Sequence, residues 1–185
     1  LEMAHIIKKY KMHFLLDFHY SDYWADPGQQ NKPDAWKNLS FDELKEAVHK
    51  YTYDVLYRLK IMDCAPDMVQ IGNEIRSGML FPDGAVPQYR QLAALVNEGI
   101  RAVRELLPET KVMIHLDQGG RYNCIMPWFD SMFNAGMLPI DAIGLSFYSF
   151  WHGTFMDLKD TMSRLIKLYN LPVYIVETAH PWRHC

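Results

Sequence analysis

The stretch PDMVQIGNE, residues 66–74, decides the predicted fold. Its centre is a short, largely apolar run, which is followed at once by a glycine and by two polar residues, Asn73 and Glu74. Runs of this length without a polar alternation are typical of strands that are buried on both faces of a parallel sheet. The stretch therefore predicts a buried strand whose carboxyl end presents an amide and a carboxylate.

Four other segments repeat this pattern, and helical patterns separate them. The other predicted strands are MHFLLDF (12–18), KVMIHLD (111–117), DAIGLSFY (141–148) and PVYIVETA (172–179). Ser40 and Glu43 form a capping box that opens a helix, and further helices are predicted over 3–10, 88–107, 128–137 and 158–168. Strands that alternate with amphipathic helices indicate a parallel sheet covered by helices.

Polar residues cluster at the end of each predicted strand. They are Asp17 and His19, Asn73 and Glu74, His115 and Asp117, Ser146 and Tyr148, and Glu177 and Thr178. Active sites of (β/α)8 barrels are assembled from such strand ends, whereas the glycine-rich phosphate loop of a doubly wound nucleotide-binding sheet is missing. Since a full barrel needs about 250 residues and eight strands, we predict an α/β fold that is a partial (β/α)8 TIM barrel.

Composition excludes several classes of function. The formal charge is −3 and the pI is near 6.2, and the sequence shows no basic stripe that would bind nucleic acid. It also contains no run of about 20 apolar residues, the length needed to cross a membrane. Cys64, Cys124 and Cys185 form neither a zinc pattern nor a disulfide framework. Aromatic residues make up 14% of the chain and several lie in polar loops, which favours a site that stacks sugar rings.

Glu74 and Glu177 are the candidate catalytic pair. Retaining glycoside hydrolysis needs one carboxylic acid to protonate the leaving oxygen and one carboxylate to attack the anomeric carbon, roughly 5 to 5.5 Å apart. Both residues end a predicted strand, and a closed barrel would bring both ends into one bowl. Asn73 is placed to donate a hydrogen bond to the sugar 2-hydroxyl.

The loop after the first strand, residues 17–36, is the second candidate region. Trp24 is suited to stack on a sugar face, Asp22 and Asp26 are suited to accept hydroxyl hydrogen bonds, and Trp36 is interpreted as a packing residue. His19 and His115 are alternative metal ligands, but no HExxH or comparable set occurs, so we expect no catalytic metal. Ser146 lies in IGLSFY rather than in the GxSxG of serine hydrolases.

Four long motifs resemble the successive signatures of glycoside hydrolase family 53, the arabinogalactan endo-β-1,4-galactanases. They are DFHYSDYWADPGQQNKPDAW (17–36), PDMVQIGNEIRSGMLFPDG (66–84), DAIGLSFYSFWHG (141–153) and VYIVETAHPW (173–182). The resemblance implies a barrel that covers about strands 3 to 7, with Glu74 as acid/base after the fourth strand and Glu177 as nucleophile at the end of the seventh. It also implies cleavage within β-1,4-galactan by a secreted or periplasmic enzyme. The substrate-binding residues that it implies are His19, Tyr20, Asp22, Trp24, Asn73, Tyr148, Trp151 and Trp182.

Residues 1–185 are thus expected to be a single incomplete glycoside hydrolase domain that begins within a longer protein. Phe81 stands where the family has Trp, so this chain keeps an aromatic face there and lacks the indole N–H donor. No cofactor is expected, since the family's occasional calcium lies in the eighth barrel unit, and the complete enzyme is expected to be a monomer. The alternatives are a related endo-glycanase for another β-1,4-glycan and a non-catalytic galactan-binding fragment. Because its sheet edges are open, the isolated piece is expected to be inactive and poorly soluble.

Overall fold

The structure, a computed structural model, describes residues 2–180 and contains five parallel strands in one sheet. These are β1 (Leu15–Phe18), β2 (Met68–Ile71), β5 (Lys111–Leu116), β6 (Ala142–Phe147) and β7 (Val173–Thr178). Within this sheet each strand pairs with the one named after it, and the order is β1-β2-β5-β6-β7. A doubly wound sheet would reverse this order part-way, whereas a barrel adds every strand on the same side. The predicted partial barrel is confirmed.

Five helices connect or precede these strands: α1 (Glu2–Lys9), α2 (Phe41–Ile61), α3 (Tyr89–Leu106), α4 (Tyr122–Asn134) and α5 (Phe155–Tyr169). The predicted capping box is present, because Ser40 Oγ accepts from the Glu43 backbone N–H and the Glu43 carboxylate accepts from the Ser40 N–H. Helix α4 begins at Tyr122, before the predicted segment, since Pro127 lies within the helix instead of ending it. The described residues include no helix long and apolar enough for a membrane span.

The core lies between the sheet and the helices that cover it. The strands contribute Val69, Ile71, Val112, Ile114, Ile143 and Leu145, and α2 and α3 contribute Leu44, Val48, Leu92, Leu95 and Val96, all of them fully buried. Successive side chains of a strand point to opposite faces, so these strand residues share the face that packs against α2 and α3, and their burial there favours the apolar composition of the strands. Trp36 packs edge-on against Tyr51 of α2, in the packing role predicted for it.

A short antiparallel hairpin, β3 (Gly78–Met79) with β4 (Gly84–Ala85), follows the turn after β2 and was not predicted. Gly78 has a φ of +107°, and a Cβ there would lie 2.1 Å from the carbonyl oxygen of Gly84. At the tip of the hairpin, the Phe81 N–H donates to the Gln30 carbonyl over 2.7 Å. The hairpin therefore fixes the loop after β1 against the loop after β2, at the carboxyl edge of the sheet.

Candidate active site

Glu74 lies in a turn after β2 that contains two residues with left-handed backbone conformations. Gly72 has a φ of +79° and Glu74 itself has a φ of +49°, a conformation that costs free energy for a residue with a side chain. The turn directs the Glu74 carboxyl toward β6, where the Ser146 hydroxyl lies 2.5 Å from Glu74 Oε1. Only 8% of Glu74 is exposed, so its carboxyl lies mostly outside bulk water.

Burial is the main reason why the pKa of Glu74 is raised to about 7. The hydrogen bond that Ser146 can donate to the ionised carboxylate acts in the opposite direction and lowers this pKa, while the negative charges of Glu177, Asp117 and Asp26 raise it further. A carboxyl group with this pKa keeps its proton under mildly acidic conditions, which is the property that a general acid needs.

Glu177 is the penultimate residue of β7 and is the more accessible of the two carboxyl groups, with a quarter of its side chain exposed. Tyr148 Oη donates a hydrogen bond of 3.0 Å to Glu177 Oε2. Partial burial and this contact with a carboxylate raise the pKa of Tyr148 to about 12, so the phenol stays a donor. Glu177 is thus an oriented carboxylate that faces the cleft.

His115 lies between the two carboxylates and is fully buried. Its Nε2 is 2.8 Å from Ser146 Oγ, and its Nδ1 is 2.8 Å from Asn73 Oδ1. Burial, with a smaller effect of His19, lowers the pKa of His115 to about 3. The imidazole is therefore neutral at any pH at which the enzyme would work.

Glu74, His115 and Glu177 also have the composition of a metal site. One carboxylate oxygen of each Glu and one ring nitrogen of His115 lie within 4.8 Å of one another. Both ring nitrogens, however, are already within hydrogen-bonding distance of Asn73 and Ser146. A metal would have to displace one of these partners, and the absence of a catalytic metal stays a prediction.

The loop after β1 brings His19 and Trp24 to the rim of the site. His19 Nε2 is 2.9 Å from Asp17 Oδ2, and this hydrogen bond raises the pKa of His19 against the opposing effect of burial. The Trp24 ring contacts His19 at 4.9 Å between centroids and is 70% exposed. Asp22 and Asp26 each accept a backbone N–H of the same loop, from Asp34 and Gly28.

Asn73 is fully buried, and its amide supports the loops around the site. Its Nδ2 donates to the Ala25 carbonyl over 2.9 Å, and its Oδ1 lies 3.1 Å from Gln70 Nε2 as well as close to His115. The role predicted for Asn73 at the sugar 2-hydroxyl stays a prediction.

The structure does not bring Tyr20 to the cleft, which corrects its place among the sugar-contacting residues. Its φ of +52° turns the ring away from the sheet edge and into the core. There it stacks on Phe18, and its hydroxyl forms a 2.8 Å hydrogen bond with Thr52 of α2. With 4% of its surface exposed, Tyr20 packs the sheet against a helix.

Tyr148 and Trp151 lie together after β6. Their rings are 5.6 Å apart, and Trp151 is 64% exposed, so its face is open to a ligand. Trp182, the remaining predicted contact, lies outside the described residues. Trp24 and Trp151 are therefore the two indoles that the structure presents at the carboxyl edge of the described chain.

Two contributors to the site were missed by sequence reasoning. Gln70 is 2% exposed in the middle of β2 and donates to Asp17 Oδ1 over 2.6 Å. Arg76 forms two hydrogen bonds to Asp117, of 2.7 and 3.1 Å, directly after the Glu74 turn. A glutamine within an apolar strand is the signal that could have revealed the first, because buried amides need partners. The pairing of Arg76 depends on the tertiary fold.

Known proteins of similar sequence and fold identify the family of this chain. The family model described as glycosyl hydrolase family 53 matches residues 1–185. The chain belongs to this family. The family 53 catalytic domain from Ignisphaera aggregans superposes with a TM-score of 0.94 at 41% identity, over 98% of this chain and 50% of that one. One of two fungal β-1,4-galactanases gives a TM-score of 0.92 at 33% identity, with 97% and 56% covered.

Sequence relatives of this family 53 chain include an arabinogalactan endo-β-1,4-galactanase from Cellvibrio japonicus. It is 36% identical over 181 residues, which cover 92% of this chain and 47% of that protein. A Niallia circulans protein described by its position in the bgaB 5′ region is 48% identical over 188 residues, with 97% and 51% covered. The chain spans about half the length of the curated relatives it matches. Xylanase 10B of Thermotoga maritima shares 14% identity and a TM-score of 0.69, which shows the barrel fold alone.

Proposed function

We propose that the protein containing this chain is a retaining endo-β-1,4-galactanase with Glu74 as acid/base and Glu177 as nucleophile. One observation carries the proposal: oxygens of the two carboxyl groups lie within 4.8 Å across the carboxyl edge of the sheet. Retaining glycosidases hold their carboxyl groups about 5 to 5.5 Å apart, and inverting enzymes hold them roughly 6.5 to 9.5 Å apart. A separation of oxygens within 4.8 Å favours the retaining arrangement.

In the first step, a Glu177 oxygen attacks the anomeric carbon while the bond from that carbon to the leaving oxygen breaks. The proton of Glu74 moves to the leaving oxygen, so the leaving sugar departs as a neutral hydroxyl. Tyr148 holds Glu177 Oε2, which leaves Oε1 for the attack. The product of this step is a glycosyl ester of Glu177 and an ionised Glu74.

In the second step, Glu74 takes a proton from water as the water oxygen attacks the anomeric carbon and the ester bond breaks. Esterified Glu177 carries no charge, so one of the influences that raise the pKa of Glu74 is absent during this step. Glu74 can then stay ionised long enough to act as a base. The return of the Glu177 charge restores the protonated acid for the next cycle.

The substrate assignment is supported by the names of the relatives rather than by the chemistry of the carboxylates. Proteins from Cellvibrio japonicus and Thermothelomyces thermophilus that match this chain are arabinogalactan endo-β-1,4-galactanases. The exposed indoles of Trp24 and Trp151 offer apolar faces of the kind on which pyranose rings stack. We infer action on polymeric galactan outside the cytoplasm, where such a polymer is found.

The test is hydrolysis of β-1,4-galactan by the full-length enzyme, with ¹H NMR of the first product formed. We expect a new reducing end in the β configuration, which then mutarotates, and little hydrolysis of cellulose or mannan. A product that first appears in the α configuration would overturn retention. A preference for glucan or mannan would overturn the galactan assignment, and turnover that survives both Glu74→Ala and Glu177→Ala would overturn both catalytic roles.

A further inference from the structure

The Ser146 hydroxyl makes two short contacts, one with Glu74 and one with His115. Its single hydrogen cannot serve both of them. Ser146 Oγ is 2.5 Å from Glu74 Oε1 and 2.8 Å from His115 Nε2. A serine hydroxyl carries one hydrogen. Both contacts are hydrogen bonds only if a second hydrogen lies on Glu74 Oε1 or on His115 Nε2.

The surroundings of His115 decide which of its nitrogens carries the ring hydrogen. Asn73 Nδ2 donates to the Ala25 carbonyl, which orients Asn73 Oδ1 toward His115 Nδ1 at 2.8 Å. An oxygen acceptor at this distance requires a hydrogen on Nδ1. Glu177 Oε1, 3.9 Å from the same nitrogen, favours the same assignment.

Gln70 offers the only competing arrangement among the described contacts of Nδ1, since its Nε2 lies 3.1 Å from this nitrogen. The two hydrogens of Gln70 Nε2, however, have oxygen acceptors in Asp17 Oδ1 at 2.6 Å and Asn73 Oδ1 at 3.1 Å. Nδ1 of His115 therefore keeps its hydrogen. Because the buried ring is neutral, Nε2 is left as an acceptor for the Ser146 hydroxyl.

We propose that His115 is a positioning residue that acts through Ser146 to favour the protonated form of Glu74. This inference rests on the proposed role of Glu74 as acid/base. With Ser146 donating to His115, Glu74 Oε1 must donate to Ser146, which requires the acid form. When Glu74 loses its proton, the Ser146 hydroxyl turns to the carboxylate, and His115 Nε2 is left without a donor in a buried site. That loss opposes ionisation.

Other charged and titratable groups also face Glu74, and they stay in place when His115 is changed. They are His19 and Asp26 from the loop after β1, Arg76 from the turn after β2, Asp117 directly after β5, Tyr148 directly after β6 and Glu177 from β7. A change in the titration of Glu74 that needs both His115 and Ser146 would therefore report on the hydroxyl between them.

The experiment titrates Glu74 by ¹³C NMR of the side-chain carboxyl groups in the full-length enzyme, with the Glu74 signal assigned by its loss in Glu74→Gln. His115→Leu frees Ser146 to donate to the carboxylate, and we expect the pKa of Glu74 to fall by about one pH unit. Ser146→Ala removes that donor, so the pKa of Glu74 should not fall in this variant. The double variant should titrate like Ser146→Ala alone.

An unchanged pKa in His115→Leu, or a fall that persists in the Ser146→Ala background, would overturn the proposal. The unmodified enzyme provides a second measurement, in case His115→Leu does not fold. Its ¹⁵N histidine spectrum should give His115 as the Nδ1–H tautomer, and an Nε2–H tautomer would overturn the proposal equally. Neither measurement needs turnover, so a failure of the galactanase assignment would be recognised separately.

Discussion

The two ends of the sheet are built from the same strands but differ in how far their polar groups are buried. At the carboxyl end, Glu74, His115 and Ser146 are buried and hydrogen bonded to one another. At the amino end, a cavity of about 690 Å³ is lined by His13, Phe14, Leu15, Pro66, Asp67, Met68, Glu109, Thr110, Lys111 and Tyr174. Asp67 there accepts the Phe14 backbone N–H over 2.7 Å, with 47% of its side chain exposed.

Turns that follow the strands place the polar groups of the carboxyl end. At the carboxyl end, Glu74 and Gln118 have left-handed φ values of +49° and +67°, so the chain turns sharply as it leaves β2 and β5. These turns direct polar side chains into the bowl, where burial changes their proton affinity. At the amino end, the carboxylate of Asp67 anchors the start of β1 and stays in contact with water. One end is therefore suited to chemistry and the other to stability.

The sharpest test of this contrast is to remove a carboxylate from each end. In the full-length enzyme, Glu177→Ala should lower kcat/KM by about 10⁴-fold or more, because it removes the carboxylate that we propose as the nucleophile. Glu109→Ala, at the amino end, is the control and should stay within about twofold of the unmodified enzyme. Comparable losses in both variants would remove the functional distinction between the two ends.

The next largest effect is expected for Tyr148→Phe, which removes the hydrogen bond to Glu177 Oε2 and keeps the ring. A hydrogen bond to a charged group corresponds to a loss of about 10- to 100-fold in kcat/KM. Tyr174→Phe, on the same strand as Glu177 but in the wall of the opposite cavity, is the matched control. An unchanged kcat/KM in Tyr148→Phe would mean that Glu177 needs no orientation by the phenol.

The pH dependence of kcat/KM should report the raised pKa of Glu74. The acid form is needed to protonate the leaving oxygen, so activity should decline as pH rises through about 7. Measurement of kcat/KM for galactan from pH 4 to pH 10 provides the check. A plateau that continues to pH 9 would contradict the assignment of Glu74 as the acid.

The raised pKa that suits Glu74 to catalysis should lower the stability of the folded protein at high pH. Because the folded-state pKa is raised, the folded protein loses stability as pH rises from the ordinary range of Glu to about 7. Glu74→Gln removes this cost, and we expect Tm at pH 8 to rise by roughly 2–4 °C, with little change at pH 4. Calorimetry that gives the same Tm shift at both pH values would contradict the linkage.

Asp67 should show the opposite sign and the smallest effect. Its pKa is lowered, first by the hydrogen bond from Phe14 N–H and then by Lys8 and His13. The stabilisation is present above the ordinary pKa of Asp and is lost as pH falls through the lowered value. Since the carboxylate is half exposed, Asp67→Asn should reduce the free energy of unfolding at pH 7 by less than about 1 kcal/mol, measured by urea denaturation. A stabilising effect at pH 7 would contradict this account.

Much of this architecture could be predicted from local sequence, because local pattern reports burial and chain reversal. Short apolar runs identified all five strands of the sheet, and Ser40 with Glu43 identified the start of α2. Polar residues after apolar runs pointed to one edge of the sheet, since parallel strands all end on the same side. The predicted carboxylates Glu74 and Glu177 do meet at that edge.

Side-chain direction was the part that sequence could not supply. Tyr20 lies beside His19 in the chain, yet a left-handed φ sends its ring to Thr52 in the core. The hairpin over 78–85 was also missed, because it depends on two glycines whose backbones approach too closely for any Cβ. Adjacent residues in one motif can thus serve opposite sides of a sheet.

The sequence by itself determined the strand segments, the capping box of α2 and the two candidate carboxylates, because each depends on residues close together in the chain. Only the tertiary structure decided that Gln70, His115 and Ser146 support Glu74, since these side chains come from β2, β5 and β6 and meet through the register of the sheet. It likewise decided the protonation of Glu74, because burial and neighbouring charge raise a pKa only after the strands have assembled.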